Sequence, residues 1–156
     1  MPRIELITVI NAPIETCFDL ARDIDLHMES TRWTGEKAIA GKTSGLIELG
    51  ESVTWLARHF RIWQTLTSKI TEFDRPNLFV DEMVQGSFKS FRHEHHFSSV
   101  DGRTLMKDIF VFESPLGVLG GFFNWLVLTG YMKRLLEERN RVIKKAAENR
   151  KESVKS

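Results

Sequence analysis

Between residues 36 and 113 the chain alternates short apolar and polar runs with turn-forming residues, and this alternation constrains the fold more than any other feature. Turn signals stand at residues 42–45, 50–51, 74–77, 86–87 and 101–102. Gly, Pro, Asn, Asp and Ser at these places favour tight turns. The intervening segments predict six strands, at residues 36–41, 51–58, 60–73, 78–85, 88–100 and 103–113. Consecutive strands joined by tight turns form an antiparallel meander.

The flanking segments add one more strand and three helices. Residues 3–10 have the β-branched content of a strand, and Pro13 follows at a position suited to the start of a helix. Asp23 and Asp25 offer caps for a second short helix ending at about Met28. After residues 114–115 the pattern becomes helical through about residue 148. One apolar stripe marks this long helix: Leu128, Met132, Leu135, Val142 and Ala146.

These elements predict an α+β fold with a seven-stranded curved antiparallel sheet wrapped around a long C-terminal helix. Two short helices lie between strands 1 and 2. A chain of 156 residues corresponds to about one domain, which we place at residues 1–148, with residues 149–156 as a charged C-terminal tail. A curved sheet around one helix leaves a gap, and that gap is the expected binding site.

Charge and cysteine content limit the partners. Lysines and arginines number 22 against 21 acidic residues, so bulk charge predicts no nucleic-acid binding. Cys17 is the only cysteine, which fits a reducing compartment. The N-terminus lacks the pattern of a signal peptide. The sequence therefore predicts a cytoplasmic protein.

Residues 117–128 are the most apolar segment of the chain. The segment is short and contains Gly and Asn, so it predicts a buried helix and no transmembrane segment. Peripheral contact with a membrane surface is the alternative for its apolar face.

Asp101-Gly102 is the strongest hairpin signal, and it sets the register of the last two strands. With a two-residue loop, Val100 faces Arg103 and His95 faces Asp108. The inward face then carries aromatic, apolar and polar side chains, which we predict to bind the ligand: Phe91, His93, His95, Phe97, Met106, Asp108, Phe110 and Phe112.

His95 and Asp108 are predicted to pair across these strands, because a polar group left alone on an apolar face is costly. Such a pair either orients the imidazole for acid–base work or is a structural hydrogen bond. His93, His95 and Asp108 could also ligate a metal. We do not favour that alternative, because no third histidine faces inward, and the sequence predicts neither a metal nor a cofactor. One of Asp81 and Glu82 should face the cavity, and the pattern does not decide which.

The chain carries no nucleophile elbow, phosphate loop, zinc-ligand cysteine set or dinucleotide fingerprint. This favours a binding protein over an enzyme, and if the chain is an enzyme, His95 and Asp108 are its candidate catalytic residues.

The order of elements, together with IELITVINAPIETCFDLARDIDLH, GESVTWLARHF, SFRHEHHF and TLMKDIFVFESPLG, resembles the SRPBCC (START-like) superfamily. This group includes polyketide cyclase/dehydrase proteins, birch-pollen allergens and lipid-transfer domains. The resemblance covers nearly the whole chain and implies the helix-grip fold. It implies His93, His95, Asp108 and Phe110 as pocket positions, and no catalytic motif accompanies it.

Three functions follow as hypotheses. The leading one is a carrier or sensor for a small hydrophobic ligand, such as a lipid, an isoprenoid or an aromatic, polyketide-like molecule. The second is a cyclase or dehydratase that uses the His95–Asp108 pair. The third is a protein-interaction module whose unidentified partner contacts the long helix and the C-terminal tail.

Overall fold

A computed structural model describes residues 2–114 and 121–155 of the chain. The strands are β1 (Arg3–Ile10), β2 (Lys37–Gly41), β3 (Ser52–His59), β4 (Ile62–Asp74), β5 (Leu78–Gln85), β6 (Ser90–Val100) and β7 (Arg103–Glu113). The helices are α1 (Ile14–Ala21), α2 (Ile24–Ser30) and α3 (Gly121–Lys155), and a short 3-10 helix (Arg32–Thr34) precedes β2.

All seven strands form one sheet in the order β1-β7-β6-β5-β4-β3-β2, and every neighbouring pair is antiparallel. β1 and β2 are the two edges, so α1 and α2 carry the chain from one edge to the other. The predicted α+β fold, with its seven-stranded curved sheet, two short helices and long C-terminal helix, is confirmed. Bulges between β4 and β5, near Thr67 and Ile70, add to the bending of the sheet.

The β6–β7 hairpin has the predicted register. Val100 pairs with Arg103, and His95 pairs with Asp108. Asp101 and Gly102 have φ angles of 52° and 78°, which suit a two-residue turn that follows the twist of the strands.

The start of β4 differs from the prediction. Residues 60–73 were expected to form one strand, but Phe60 and Arg61 have φ angles of 52° and 66° and make the turn between β3 and β4. Neither residue type favours left-handed backbone, so the sequence carries no turn signal there. The strand begins two residues later, at Ile62.

The long helix also differs in its end and in its buried face. It continues past the predicted end at about residue 148 to Lys155. The predicted apolar stripe is only half-buried. Among the side chains of α3 that the structure describes, the buried ones are those of Leu136, Arg139, Asn140, Ile143 and Ala147. The hydrophobic pattern missed this face because two of its members are polar.

Residues 115–120 lie outside the described residues. They include part of the apolar segment at residues 117–128 and the predicted start of the long helix after residues 114–115. In the described part, the expected burial is wrong for Leu126 and Val127, which are exposed. Within residues 2–114 and 121–155, no helix is both long and apolar enough to cross a lipid bilayer.

Most of the buried apolar residues that the structure describes form two clusters between the concave face of the sheet and the helices. One lies under α1 and α2 and includes Phe18, Phe79 and Phe97. The other lies under α3 and includes Phe91, Phe110 and Phe112. Residues of both clusters line the cavity described next.

Candidate functional site

A cavity of about 500 Å³ lies between the concave face of the sheet and the helices. Most of its wall is apolar or aromatic. The strands contribute Val53, Trp55, Leu66, Ile70, Phe79, Phe91 and Phe110, and the helices contribute Ala21, Ile24, Leu128, Met132, Leu135 and Leu136. Cavities of roughly 300–1,000 Å³ with apolar walls and a few polar groups are typical small-molecule sites.

A polar cluster interrupts this wall where β5, β6 and β7 lie side by side. Asp81, His93 and His95 line the cavity there, and Arg139 reaches the same place from α3. His95 and Arg139 are only 2% and 6% exposed. Charged and polar groups at this depth require partners, so their hydrogen bonds account for the local arrangement.

Asp108 lies behind the histidines and is fully buried. Its Oδ1 accepts a hydrogen bond from His93 Nε2 at 2.9 Å, and its Oδ2 accepts one from Asn140 Nδ2 at 2.6 Å. Arg139 Nη1 lies 3.6 Å from Oδ1. The carboxylate therefore joins the sheet to α3.

The hydrogen bond expected between His95 and Asp108 is made by His93 instead. His95 Nε2 donates to Asp81 Oδ1 at 2.8 Å, on the neighbouring strand β5. His95 still lies close to Asp108, with 3.2 Å between Nδ1 and Oδ1. The register placed His95 opposite Asp108, but the direction of the ring decides its partner, and Asp81 is the better aligned acceptor.

Both carboxylates of the cluster are held in the ionised form. Burial alone would raise the pKa of Asp108, but the hydrogen bond from His93 and the nearby imidazole of His95 lower that pKa well below its usual value. Burial acts on Asp81 in the same way, and the hydrogen bond from His95 lowers the pKa of Asp81. Burial also lowers the pKa of His93 to about 4, and the charge on His95 adds to this effect. His93 is therefore neutral at pH 7, and its Nε2 carries the hydrogen that Asp108 accepts.

The β3–β4 turn and α3 meet beside the cavity. His59 and Tyr131 are hydrogen-bonded there, with 2.6 Å between Nδ1 and the hydroxyl oxygen. The ring of Phe60 packs on Tyr131 with 4.7 Å between the centroids. His59, Phe60 and Tyr131 all line the cavity, so this contact closes one side of it.

The predicted site residues divide into two groups. Phe91, His93, His95 and Phe110 line the cavity. Phe97, Met106, Asp108 and Phe112 point to the same side of the sheet but are packed in the core and do not line it. The inward face is longer than the cavity, and the helices cover the remainder. Asp81, and not Glu82, faces the cavity; Glu82 accepts a hydrogen bond from Arg92 instead.

Arg139 and Asn140 were not predicted as site residues from the sequence. Their spacing from Leu136 and Ile143 fits one helix face, and this signal was available. A search for apolar stripes passes over polar residues at such positions. The sequence did not show that both side chains lie beside the buried carboxylate of Asp108.

A curved seven-stranded antiparallel sheet that holds a long helix above an internal cavity defines a START-like fold. The chain belongs to the family described as polyketide cyclase / dehydrase and lipid transport, which matches residues 1–148. The resemblance drawn from the sequence is thereby confirmed. No curated protein sequence matches the chain.

Solved structures share this fold at low sequence identity. TTHA0849 from Thermus thermophilus has a TM-score of 0.72 and 17% identity, over 94% of this chain and 99% of that chain. Major latex-like protein 151 from Panax ginseng has a TM-score of 0.65 and 16% identity, over 94% and 97%. Protein Ms6760 from Mycobacterium smegmatis has a TM-score of 0.65 and 14% identity, over 92% and 89%. At these identities the likeness concerns the fold alone.

Proposed function

We propose that this protein binds one small hydrophobic ligand with a polar end, and that it acts as a carrier or sensor for that ligand. The observation that carries the proposal is an apolar cavity of about 500 Å³ whose wall holds a compact polar cluster on one side. The family description, which names polyketide cyclases, dehydrases and lipid transport, supports the same class of ligand. Lipids, isoprenoids and aromatic, polyketide-like molecules fit this chemistry.

The cluster gives the ligand an orientation. His95 and Arg139 form the polar part of the cavity wall, where a carbonyl, phenol or carboxylate oxygen of the ligand would accept the hydrogen that His95 Nε2 otherwise gives to Asp81. The apolar part of the ligand would lie against Trp55, Leu66 and Phe91, because burial of apolar surface provides most of the binding free energy. The predicted role of His95 as an anchor is kept, with Asp81 in place of Asp108 as its hydrogen-bond partner.

We place this function in the cytoplasm, since the lone, buried Cys17 thiol fits a reducing compartment. Leu126 and Val127 are exposed on α3. Contact of this apolar surface with a membrane during ligand exchange remains a prediction.

The first test is native mass spectrometry of the purified protein, followed by organic extraction and identification of the released molecule. A stoichiometric lipid, isoprenoid or aromatic compound would support the proposal. An unliganded mass from several expression hosts, with no thermal shift across a library of such compounds, would contradict it.

A cavity-filling variant makes this test specific to the site. Ser68 is a small, buried residue of the cavity wall, so Ser68→Leu should displace the copurified ligand by occupying part of its volume. Ser98→Leu introduces the same side chain at an exposed position of β6 and should retain the ligand. Equal ligand occupancy in the two variants would place the ligand outside the cavity.

The hydrogen bond between Asp81 and His95 favours a second function, a cyclase or dehydratase. An imidazole oriented by a carboxylate at a substrate cavity is a general acid–base arrangement. For an enzyme, His95→Gln should lower kcat by about 100-fold or more with binding retained. For a carrier, the same variant should only weaken ligand binding.

A further inference from the structure

We propose that Asp81, His93 and His95 bind a divalent transition-metal ion at the wall of the cavity. This site goes beyond ligand binding, and its occupation requires no organic ligand. The three side chains each present one ligand atom, and these atoms all lie within 4.8 Å of one another. His93 Nδ1 is 3.8 Å and His95 Nε2 is 2.8 Å from Asp81 Oδ1.

The ligand set fits first-row transition metals. Two imidazole nitrogens and one carboxylate oxygen make a mixed set that suits zinc and ferrous iron. Metal–ligand bonds of about 2.0–2.2 Å separate neighbouring ligand atoms by about 3–3.5 Å. Side-chain rotations that move the ligand atoms by about 1 Å would bring the distances between them into that range. All three residues line the cavity, so the remaining coordination positions would face it.

Asp108 provides the support that metal-binding histidines usually have. Its Oδ1 lies 2.9 Å from His93 Nε2 and 3.2 Å from His95 Nδ1. These are the two ring nitrogens that do not face Asp81. A carboxylate that accepts hydrogen bonds from the outer nitrogens holds each ring in place and leaves the inner nitrogens to bind the ion. Asp108 does this here for His93. It also lies within reach of His95 Nδ1, which would carry the hydrogen toward Asp108 once the ion takes the place of the hydrogen on His95 Nε2.

The proposed ligands differ from the metal-binding set that the sequence offered as an alternative. There Asp108 was a candidate ligand together with the two histidines. In the structure, Asp108 lies on the far side of the imidazoles from Asp81, and Asp81 takes the ligand position.

The charges in the cluster are compatible with a bound cation. Arg139 is the positive group nearest to the histidines, with 3.4 Å between Nη2 and His95 Nδ1. Its Nη2 also donates to the Ala21 carbonyl at 2.8 Å, and its Nη1 lies 3.6 Å from Asp108 Oδ1. The charges of Arg139 and Asp108 therefore offset each other. The negative charge of Asp81 remains available for the ion.

The test starts with the full chain stripped by a chelator and titrated with Zn²⁺ by calorimetry, and with Co²⁺ as a spectroscopic probe. The proposal expects one ion per chain, a visible Co²⁺ absorption band, and imidazole ligands in the zinc X-ray absorption spectrum. Asp81→Asn and His95→Gln should each weaken Zn²⁺ binding by about 100-fold or more, since each removes a direct ligand. Asp108→Asn should weaken it by about 10–100-fold through ring orientation.

Two matched controls lie beside the ligands on the outer side of the sheet. The controls are Glu82→Gln and His96→Gln. Glu82 is the residue after Asp81, and His96 is the residue after His95. Both side chains belong to outward-facing hydrogen-bonded pairs. Neither change should alter Zn²⁺ binding. The wild-type spectra do not depend on the folding of any variant. The proposal is overturned if folded wild-type protein binds no stoichiometric Zn²⁺ or Co²⁺, if the bound ion lacks imidazole ligands, or if the controls lose binding as the ligand variants do.

Discussion

Asp108 is the residue on which the centre of the molecule depends most directly. It is fully buried on β7, and hydrogen bonds connect it to His93 on β6 and to Asn140 on α3. The nearby guanidinium of Arg139 is itself buried. A buried charge left without its partner is much more costly than an exposed one.

Replacement of Asp108 should therefore destabilise the protein strongly. For Asp108→Ala we expect the free energy of unfolding to fall by about 3–5 kcal/mol, because Arg139 and the hydrogen-bond donors lose their common acceptor. Urea denaturation measures this change. Lys107→Gln, at the adjacent half-buried position on the other face of the sheet, should have a far smaller effect. Similar losses in the two variants would show that the buried network contributes little.

His59 predicts a pH dependence of stability. Burial lowers its pKa, and the charge of Glu36 opposes this only in part. The unfolded chain, with a histidine pKa of about 6.5, then binds more protons than the folded one as the pH falls. The stability that neutral His59 contributes is present above about pH 6.5 and is lost as the pH falls through the lower folded-state pKa.

The measurement is the difference in unfolding free energy between wild type and His59→Gln at about pH 8 and about pH 5. We expect the advantage of the wild type to shrink at the lower pH. A difference that is independent of pH would contradict the lowered pKa.

At the scale of elements, the β3–β4 hairpin contrasts with the β6–β7 hairpin. Both have two-residue turns with left-handed backbone, but Asp101-Gly102 suits that conformation and Phe60-Arg61 does not. Phe60 packs on Tyr131 of α3. The unfavourable turn thus places an aromatic side chain at the side of the cavity, which is the kind of place where strained backbone is retained.

A better turn sequence should stabilise this hairpin. For Phe60→Asn combined with Arg61→Gly, removal of the backbone strain should raise the free energy of unfolding by about 1–2 kcal/mol per residue. Loss of the contact between the rings of Phe60 and Tyr131 should lower it by about 0.5–1.5 kcal/mol. Thermal unfolding should show a higher Tm.

Gly102→Ala provides the opposite control, because Gly102 has a φ of 78° and open space around it. It should lower the stability by about 1–2 kcal/mol through backbone strain alone. A fall in Tm for the Asn-Gly turn would mean that the packing of Phe60 outweighs its backbone strain.

At the scale of the whole molecule, α3 combines two parts with different roles. From Leu136 to Ala147 it packs on the sheet and on α1 and α2. Residues 149–153 have no buried side chain. Lys151 Nζ of this segment donates a hydrogen bond to Asn11 Oδ1, at 2.7 Å.

Removal of residues 149–156 should therefore leave the fold intact. We expect a change of less than about 1 kcal/mol in the free energy of unfolding, equal to one exposed hydrogen bond. Ile143→Ala, in the packed part, should cost about 2–5 kcal/mol. A truncated chain that keeps its stability but loses a protein partner would favour the interaction-module hypothesis. A large loss of stability would show that the tail belongs to the domain.

The sequence by itself determined the strands, the two short helices and the register of β6 and β7. Each of these depends on local signals: residue alternation along a strand, or a turn such as Asp101-Gly102 that fixes which residues face each other. Where the local signal was absent, as at Phe60-Arg61, the prediction failed.

Only the tertiary structure decided how the polar cluster is connected. That His95 is bonded to Asp81, and that Asp108 is bonded to His93 and Asn140, depends on the placement of β5 beside β6 and on the rotation of α3 about its axis. Both result from packing between segments far apart in the chain. The pattern of one segment shows which of its faces is apolar, but the partner of a buried polar side chain depends on the segment that it meets.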